Sequence, residues 1–246
     1  MYKRYKFKHK ETIVTVLLKD ERYYQPVIDG ILEARRIIED QISRDPYFLI
    51  AYEPYNEVKD AKLEFTDDII TEMFKASWLA NVGPMASVAG TIAGYAVNYA
   101  KKSGADFAVV DNGGDIAMFG EERLTIGVYA QKLKVGFELN PSDMTDSIYS
   151  ICTSSGTIGH SVSFGYADAV TVFSSNPAIA DAFATRICNE IGKDYGKSEI
   201  KEVLERFWMD EFIDGILVIK EEIIGKIGRV PRLKKVEFDA DLITKG

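Results

Sequence analysis

The chain has 246 residues, 46% of them hydrophobic, which is enough for one large domain or two small lobes with a real core. Its formal net charge of -8 repels phosphate backbones and argues against nucleic-acid binding, although a nucleotide can still be held through a metal and backbone amides. There is no run of about 18 apolar residues to span a membrane, and the basic start Lys3-Arg4-Tyr5-Lys6 is not followed by an apolar signal core, so the expected location is the cytoplasm.

Residues 2–18 alternate polar and apolar side chains, which predicts two short strands in a hairpin around His9-Lys10-Glu11. Pro26 opens a helix to about residue 44, with Val27, Ile28, Ile31, Leu32 and Ile38 as its apolar stripe, and Asp45-Pro46 ends it. Residues 47–52 read as a strand and 54–62 as a polar loop. Thr66-Asp67-Asp68 caps a second helix, whose Ile69, Ile70, Met73, Phe74 and Trp78 are expected to face inward.

Gly83-Pro84 starts a helix to about residue 102, with the proline in the first turn. Ala86, Gly90 and Gly94 recur every four residues and leave a ridge nearly free of side chains. A glycine inside a helix costs about 1 kcal/mol against alanine, so the ridge calls for a close neighbour. Tight helix-to-sheet packing and a ligand edge resting on the ridge both satisfy that need.

Residues 107–110 and 116–119 read as strands flanking Asp111-Asn112-Gly113-Gly114-Asp115, the strongest turn signal in the chain. The structural reading is a hairpin; the functional one brings the Gly113-Gly114 backbone against a phosphate, with Asp115 aimed at a ribose or metal. No helix follows the glycines, which excludes a dinucleotide-binding Rossmann fingerprint. Residues 124–129 and 135–139 form a further antiparallel pair, 140–146 a polar loop and 148–152 the strand leading to Thr153-Ser154-Ser155-Gly156. His160 follows, then the β-branched strand Val170-Thr171-Val172, with Asp168 just before it as either a turn residue or a metal oxygen.

Pro177 opens a helix ending near Gly192, with Ser175 or Asn176 as its cap. Its Asp181 and Thr185 are four apart and share one face, where a carboxylate and a hydroxyl offer the hard oxygens that a magnesium-like ion takes. A helix over 198–207, strands near 216–219 and 223–224, and an extended tail from Arg229 complete the chain. Cys152 and Cys188 are too few for a disulfide scaffold and read as buried thiols. Nine or ten strands with about five helices, and hairpins outnumbering βαβ units, predict an α+β layered fold with mainly antiparallel sheet, as one domain or two packed lobes (about 1–82 and 83–246).

Three segments, in order, resemble the ApbE-like flavin transferases, which move FMN from FAD onto a protein threonine. Gly90 to Asn98 is similar to that family's alanine-lysine-glycine-tyrosine helix; Asn112-Gly113-Gly114-Asp115-Ile116 is similar to its Gly-Gly-Asp hairpin. Thr153-Ser154-Ser155-Gly156, His160, Val170-Thr171-Val172 and Ala180-Asp181-Ala182-Phe183-Ala184-Thr185 are similar to its Thr-Ser-Gly turn, histidine segment, strand and metal-binding helix. The match spans about residues 83–192. The family's lysine is replaced by Ala93, its aspartate by Asn98, and its Asp-Pro-x-Thr-Gly after the histidine is missing. These departures resemble an ApbE-related subgroup rather than a standard flavin transferase.

The resemblance implies Mg²⁺ held by Asp181 and Thr185, with backbone carbonyls near residues 89–91 as further ligands, and FAD or a related nucleotide as substrate. It implies that Gly90, Gly94, Asn112, Gly113, Gly114, Thr153, Ser154, Ser155 and Gly156 line the nucleotide site, and that Asp115 and His160 orient substrate or move a proton. An acceptor protein is a further implied partner, and open sheet edges make a homodimer reasonable. The readings left open are Mg²⁺-dependent FMN transfer or FAD diphosphate cleavage, a binding module that has lost transfer activity, and an assembly partner without a ligand.

Overall fold

The computed structural model describes residues 2–56, 66–130, 133–139, 148–156 and 165–236. Expectations for the loops at 57–62 and 140–146, for His160 and for the tail beyond residue 236 lie outside them. The first hairpin forms as the alternation predicts, with β1 (Lys3–His9) antiparallel to β2 (Thr12–Leu18). The long helix is α1 (Tyr24–Arg44), and Val27, Ile28, Ile31, Ala34 and Ile38 are its buried face. Leu32, expected on that face, is 37% exposed; the close contact is at Gly30, where a Cβ would lie 2.9 Å from Ala96 Cα.

Residues 47–52 are not a strand. Asp45 Oδ1 accepts from the Tyr47 amide at 3.2 Å and starts a single helical turn, α2 (Tyr47–Ile50), which the Ala51 amide closes onto Tyr47 O at 2.9 Å. Local capping after Asp45-Pro46 prevails over β-prone side chains, and among the described residues no strand pairs with them. Helix α3 (Ile69–Ala80) is capped by Asp68, whose carboxylate accepts from the Thr71 amide at 3.2 Å. Ile69 and Met73 are buried, whereas Trp78 is half exposed.

A 3₁₀ turn at Pro84–Ser87 leads into α4 (Val88–Lys102). Strands β3 (Ala108–Asn112) and β4 (Asp115–Phe119) form the predicted hairpin, with Gly113 at φ 71 and Gly114 at φ 107. Positive φ at both turn residues matches the strand twist, and glycine adopts it without a Cβ penalty. The remaining elements are β5 (Leu124–Tyr129), β6 (Lys134–Leu139), β7 (Tyr149–Ser154), β8 (Ala169–Ser174), α5 (Pro177–Glu190), α6 (Lys197–Phe207), β9 (Gly215–Lys220), β10 (Ile223–Gly228) and β11 (Arg232–Lys235). The described residues thus hold eleven strands and six helices against the nine or ten and five predicted; the tail contributes a strand of its own.

An eight-stranded antiparallel sheet runs β1-β2-β3-β4-β7-β8-β9-β10, and a three-stranded sheet runs β11-β6-β5. The fold is α+β with mainly antiparallel sheet, as predicted. Strand parity sorts the large sheet into two faces. Val14, Val16, Val110, Ala117, Val170, Val172, Ile216 and Val218 face the helices. Leu17, Val109, Met118, Ile151, Phe173 and Leu217 pack with Val128, Phe137 and Leu139 of the small sheet. Helix α4 lies over β3 and β4, and α5 lies over β7 and β8, so the two helices meet above the middle of the sheet.

Candidate active site

One row of residues crosses the helix-facing side of the sheet: Val14, Asn112, Asp115, Cys152, Val172 and Ile216 stand in register on adjacent strands. Its ends are apolar and its middle is polar. Asn112 and Asp115 close the Gly113-Gly114 hairpin, so the hairpin fixes both side chains at one point under α4 and α5.

The helices above complete the cluster. Asn176 caps α5 by accepting from the amides of Ala178 at 3.0 Å and Ile179 at 3.2 Å, and Pro177 opens its first turn as predicted. One turn on, Asp181 is only 7% exposed and takes the Gly90 amide on Oδ2 at 2.8 Å. Ser87, which precedes α4, makes no side-chain cap. The Asp181 carboxylate therefore caps α4 from another helix, where exposed N–H groups and the helix dipole favour negative charge. A Cβ on Gly90 would lie 2.5 Å from Pro177 O and 2.8 Å from Asp181 Cβ. The small-residue ridge is thus explained at Gly90 by the approach of α5, rather than by packing on the sheet. Gly94 is buried one turn further along.

The main-chain groups facing Asp181 are amides, not the carbonyls anticipated near residues 89–91, because the first turn of a helix presents N–H groups. The Ala89 carbonyl is engaged elsewhere, accepting from Asn112 Nδ2 at 3.1 Å. Asn112 thereby ties the hairpin to α4. The Gly114 amide donates to Asp111 Oδ1 at 2.9 Å, and Gly113 is exposed at the turn's tip.

Electrostatics single out two carboxylates. Burial pushes Asp181 up from 3.8 to about 7, against the opposing pull of the Gly90 and Ala89 amides. Asp115 is held well above the usual carboxylate range by desolvation, then by the charges of Asp181 and Asp111. The Thr153 amide and the Cys152 thiol act the other way on Asp115. The buried Cys152 thiol is itself raised, by desolvation and then by Asp115 and Asp181. No lysine or arginine among the described residues forms an ion pair with either carboxylate. A buried carboxylate whose charge raises the proton affinity of a second, partly buried one is characteristic of functional sites.

The other predicted residues divide. Thr153 supplies its main chain beside Gly114 and Asp115, but its hydroxyl lies on the opposite sheet face, 2.9 Å from that of Thr171. Ser154 is buried, and Ser155 and Gly156 are partly buried beyond the hairpin tip. Gly156 is constrained by packing, since a Cβ there would fall 1.9 Å from Gly165 O. Thr185 is partly buried one turn beyond Asp181 on α5. Asp168 accepts from the Glu221 amide at 2.6 Å, the turn role rather than the metal one. Asn98 donates to Asp67 at 2.7 Å on the surface, and Ala93 is fully buried in the core.

Sequence reasoning gave Cys152 no part in the site, because only the β4–β7 register brings it opposite Asp115. It also missed a buried polar anchor behind α5. Glu72 Oε2 accepts from Asn176 Nδ2 at 2.8 Å and pairs with Lys75 at 2.7 Å, with Glu72 and Lys75 1% and 3% exposed.

The Asp181 carboxylate and the Thr185 hydroxyl are oxygen donors of the kind that magnesium takes. Among the described residues no group of three or more His, Cys, Asp or Glu side chains could hold a metal. Magnesium needs no such cage, since it takes one or two carboxylates and completes its shell with water and phosphate oxygen.

A family model described as AbpE bacteria matches residues 1–205. The chain belongs to that family. Relatives of the AbpE chain include a UPF0280 protein of Archaeoglobus fulgidus, 46% identical over 99% of this chain and 100% of that one. A UPF0280 protein of Methanothrix thermoacetophila is 40% identical over 98% of each. These relatives place it in an ApbE-related subgroup. Among solved structures, it superposes on the ApbE protein of Thermotoga maritima with a TM-score of 0.54, at 12% identity and 100% coverage of both chains. With the apo flavinyl transferase ApbE of Pseudomonas stutzeri the TM-score is 0.53, at 11% identity, covering 92% of this chain and 94% of that one. The AbpE chain therefore has the ApbE fold.

Proposed function

We propose that this AbpE protein carries out Mg²⁺-dependent chemistry on the diphosphate of a flavin nucleotide, by FMN transfer or FAD cleavage. The observation that carries the reading is the meeting of Asp115 and Asp181 at the Gly113-Gly114 hairpin and the N-terminus of α4. Solved neighbours titled flavin or flavinyl transferase supply the substrate class.

Asp181 and Thr185 would hold the ion. When bound, it would neutralise charge on the phosphoryl oxygens and keep Asp181 ionised. The exposed Gly113 backbone can approach the diphosphate without a side chain in the way. Asp115, whose proton affinity is raised, suits acceptance of the proton from an attacking hydroxyl. That oxygen, from an acceptor threonine or from water, bonds to the FMN phosphorus as the bond to the AMP oxygen breaks. AMP leaves, and the proton passes to Asp115. Among the described residues no lysine or arginine pairs with Asp115 or Asp181, which supports a nucleotide held through an ion.

A second reading, nucleotide binding without transfer, is favoured by Ala93. It stands where the resembling family has lysine, is buried in the core, and offers no group to the substrate. One experiment separates them. Incubation with FAD and Mg²⁺, followed by nucleotide chromatography, yields AMP if the enzyme reading holds. FAD retained intact supports the binder. Equal AMP release by wild type and Asp181→Ala refutes the enzyme reading.

A further inference from the structure

Helix α5 is held at its start by more than a cap requires. Asn176 is fully buried, and its Oδ1 accepts from the amides of Ala178 and Ile179. An acceptor is all that a helix N-cap has to supply, and serine or aspartate would supply one. Asparagine adds a donor, and Asn176 Nδ2 directs it to Glu72 Oε2 on α3 at 2.8 Å. The Asn176 amide donates to Ser174 Oγ at 3.0 Å, and that hydroxyl donates to Phe212 O at 2.8 Å.

Glu72 is just as firmly fixed. Its Oε2 also pairs with Lys75 at 2.7 Å, and its Oε1 accepts from the amide and the hydroxyl of Thr66, both at 3.1 Å. These four donors fill the acceptor positions of one carboxylate, so Glu72 offers Asn176 an oxygen in a single orientation. Burying the two charges is costly, and well-packed apolar side chains would hold α3 against α5 at least as strongly. Cohesion therefore does not call for these residues. A directed contact does, because a hydrogen bond fixes the height and rotation of a helix start, whereas apolar packing tolerates slippage.

One turn further on, α5 carries Asp181, whose Oδ2 takes the Gly90 amide at 2.8 Å. At that crossing a Cβ on Gly90 would lie 2.5 Å from Pro177 O and 2.8 Å from Asp181 Cβ. Backbone meets backbone there, with no long side chain to absorb a shift. A displacement at Asn176 is thus passed along one helical turn to the Asp181 carboxylate.

We propose that Glu72 is a positioning residue: its contact with Asn176 sets the first turn of α5, and so fixes which Asp181 oxygen meets the Gly90 amide and which is left for the ion. The role toward the ion rests on the proposed function. The placement of Asp181 does not, and it has its own readout.

The test uses the full chain as wild type, Asn176→Ser and the double variant Glu72→Leu with Lys75→Met. Serine keeps the cap and drops the donor to Glu72; the double variant removes the anchor without leaving a buried charge unpaired. The Gly90 amide resonance, followed by nuclear magnetic resonance at pH 8 in chelator, is expected to move upfield in both as its bond to Asp181 lengthens. Amides in the second half of α5 should keep their positions. An unmoved Gly90 resonance, or equal shifts throughout α4 and α5, overturns the positioning role. Mn²⁺ affinity in the presence of ADP, measured where all three proteins are folded, is expected to fall about 10- to 100-fold in both variants, the range for loss of a supporting contact behind a metal ligand. Unchanged affinity overturns the link to the ion. If wild type binds no Mn²⁺, the functional reading fails, while the Gly90 resonance still decides whether Glu72 places Asp181.

Discussion

Replacing Asp181 by asparagine tests the site through stability, without any assumption about substrate. The Asp181 carboxyl moves from 3.8 in the unfolded chain to about 7 in the folded one. That gap corresponds to about 4 kcal/mol of penalty for ionising it inside the metal-free protein. The folded state binds the proton more tightly, so the wild type should lose stability as pH rises from 4 toward 7 and then level off. Asparagine abolishes the penalty and keeps an oxygen for the Gly90 amide, but the new hydrogen bond lacks the charge, a loss of about 1–2 kcal/mol. The expected net gain at pH 8 is about 2 kcal/mol, a rise of roughly 4–8 °C in unfolding temperature for a chain of this size. At pH 4, where the wild-type carboxyl is protonated, the gain should vanish. Thermal unfolding followed by circular dichroism, in chelator, at pH 4 and pH 8 measures both. A variant equally destabilised at the two pH values would show that burial of a charge is not what sets Asp181 apart.

Magnesium binding should be proton-linked: affinity for wild type should rise between pH 6 and 8 by up to about tenfold per unit, as Asp181 gives up its proton. Calorimetric titration across that range checks the slope, and a flat profile argues against Asp181 as a ligand. Gly90→Ala should lower the unfolding temperature despite alanine's better helix propensity, because the new Cβ would lie 2.5 Å from Pro177 O. Separating α4 from α5 should cost about 1–3 kcal/mol, and a stabilised variant would refute the close approach. Glu72→Ala removes the buried carboxylate that pairs with Lys75 and accepts from Asn176, and should cost about 3–5 kcal/mol in urea unfolding. The double variant Glu72→Leu with Lys75→Met should recover much of that loss; failure to recover would mean that the pair contributes more than charge compensation.

Features governed by neighbours in sequence were legible beforehand. The Gly113-Gly114 hairpin, the Asn176-Pro177 start of α5 and the apolar faces of α1 and α3 follow from local conformational preference and periodicity. Residues 47–52 read as a strand because the run Tyr-Phe-Leu-Ile is β-prone, while the outcome depends on the contact that Asp45 makes with the Tyr47 amide. The site's main contacts were beyond local reach. Asp181 caps Gly90 across 91 positions, and Asn176 reaches Glu72 across 104. Nothing in the local pattern of either segment announces such a partner. Motif resemblance pointed to Asp115 and Asp181, whereas Cys152 became visible only once β4 and β7 were in register. Thr153 entered through the resemblance of its turn, and strand parity sends its hydroxyl to the far face of the sheet.

The central claim, that Asp181 and Thr185 hold a divalent cation at a nucleotide diphosphate, is tested most directly by Mn²⁺ as a paramagnetic substitute for Mg²⁺. Electron paramagnetic resonance titration in the presence of ADP should show one saturable site per chain in the wild type, displaced by excess Mg²⁺ and absent in Asp181→Asn. Binding of equal strength in wild type and variant would contradict the account.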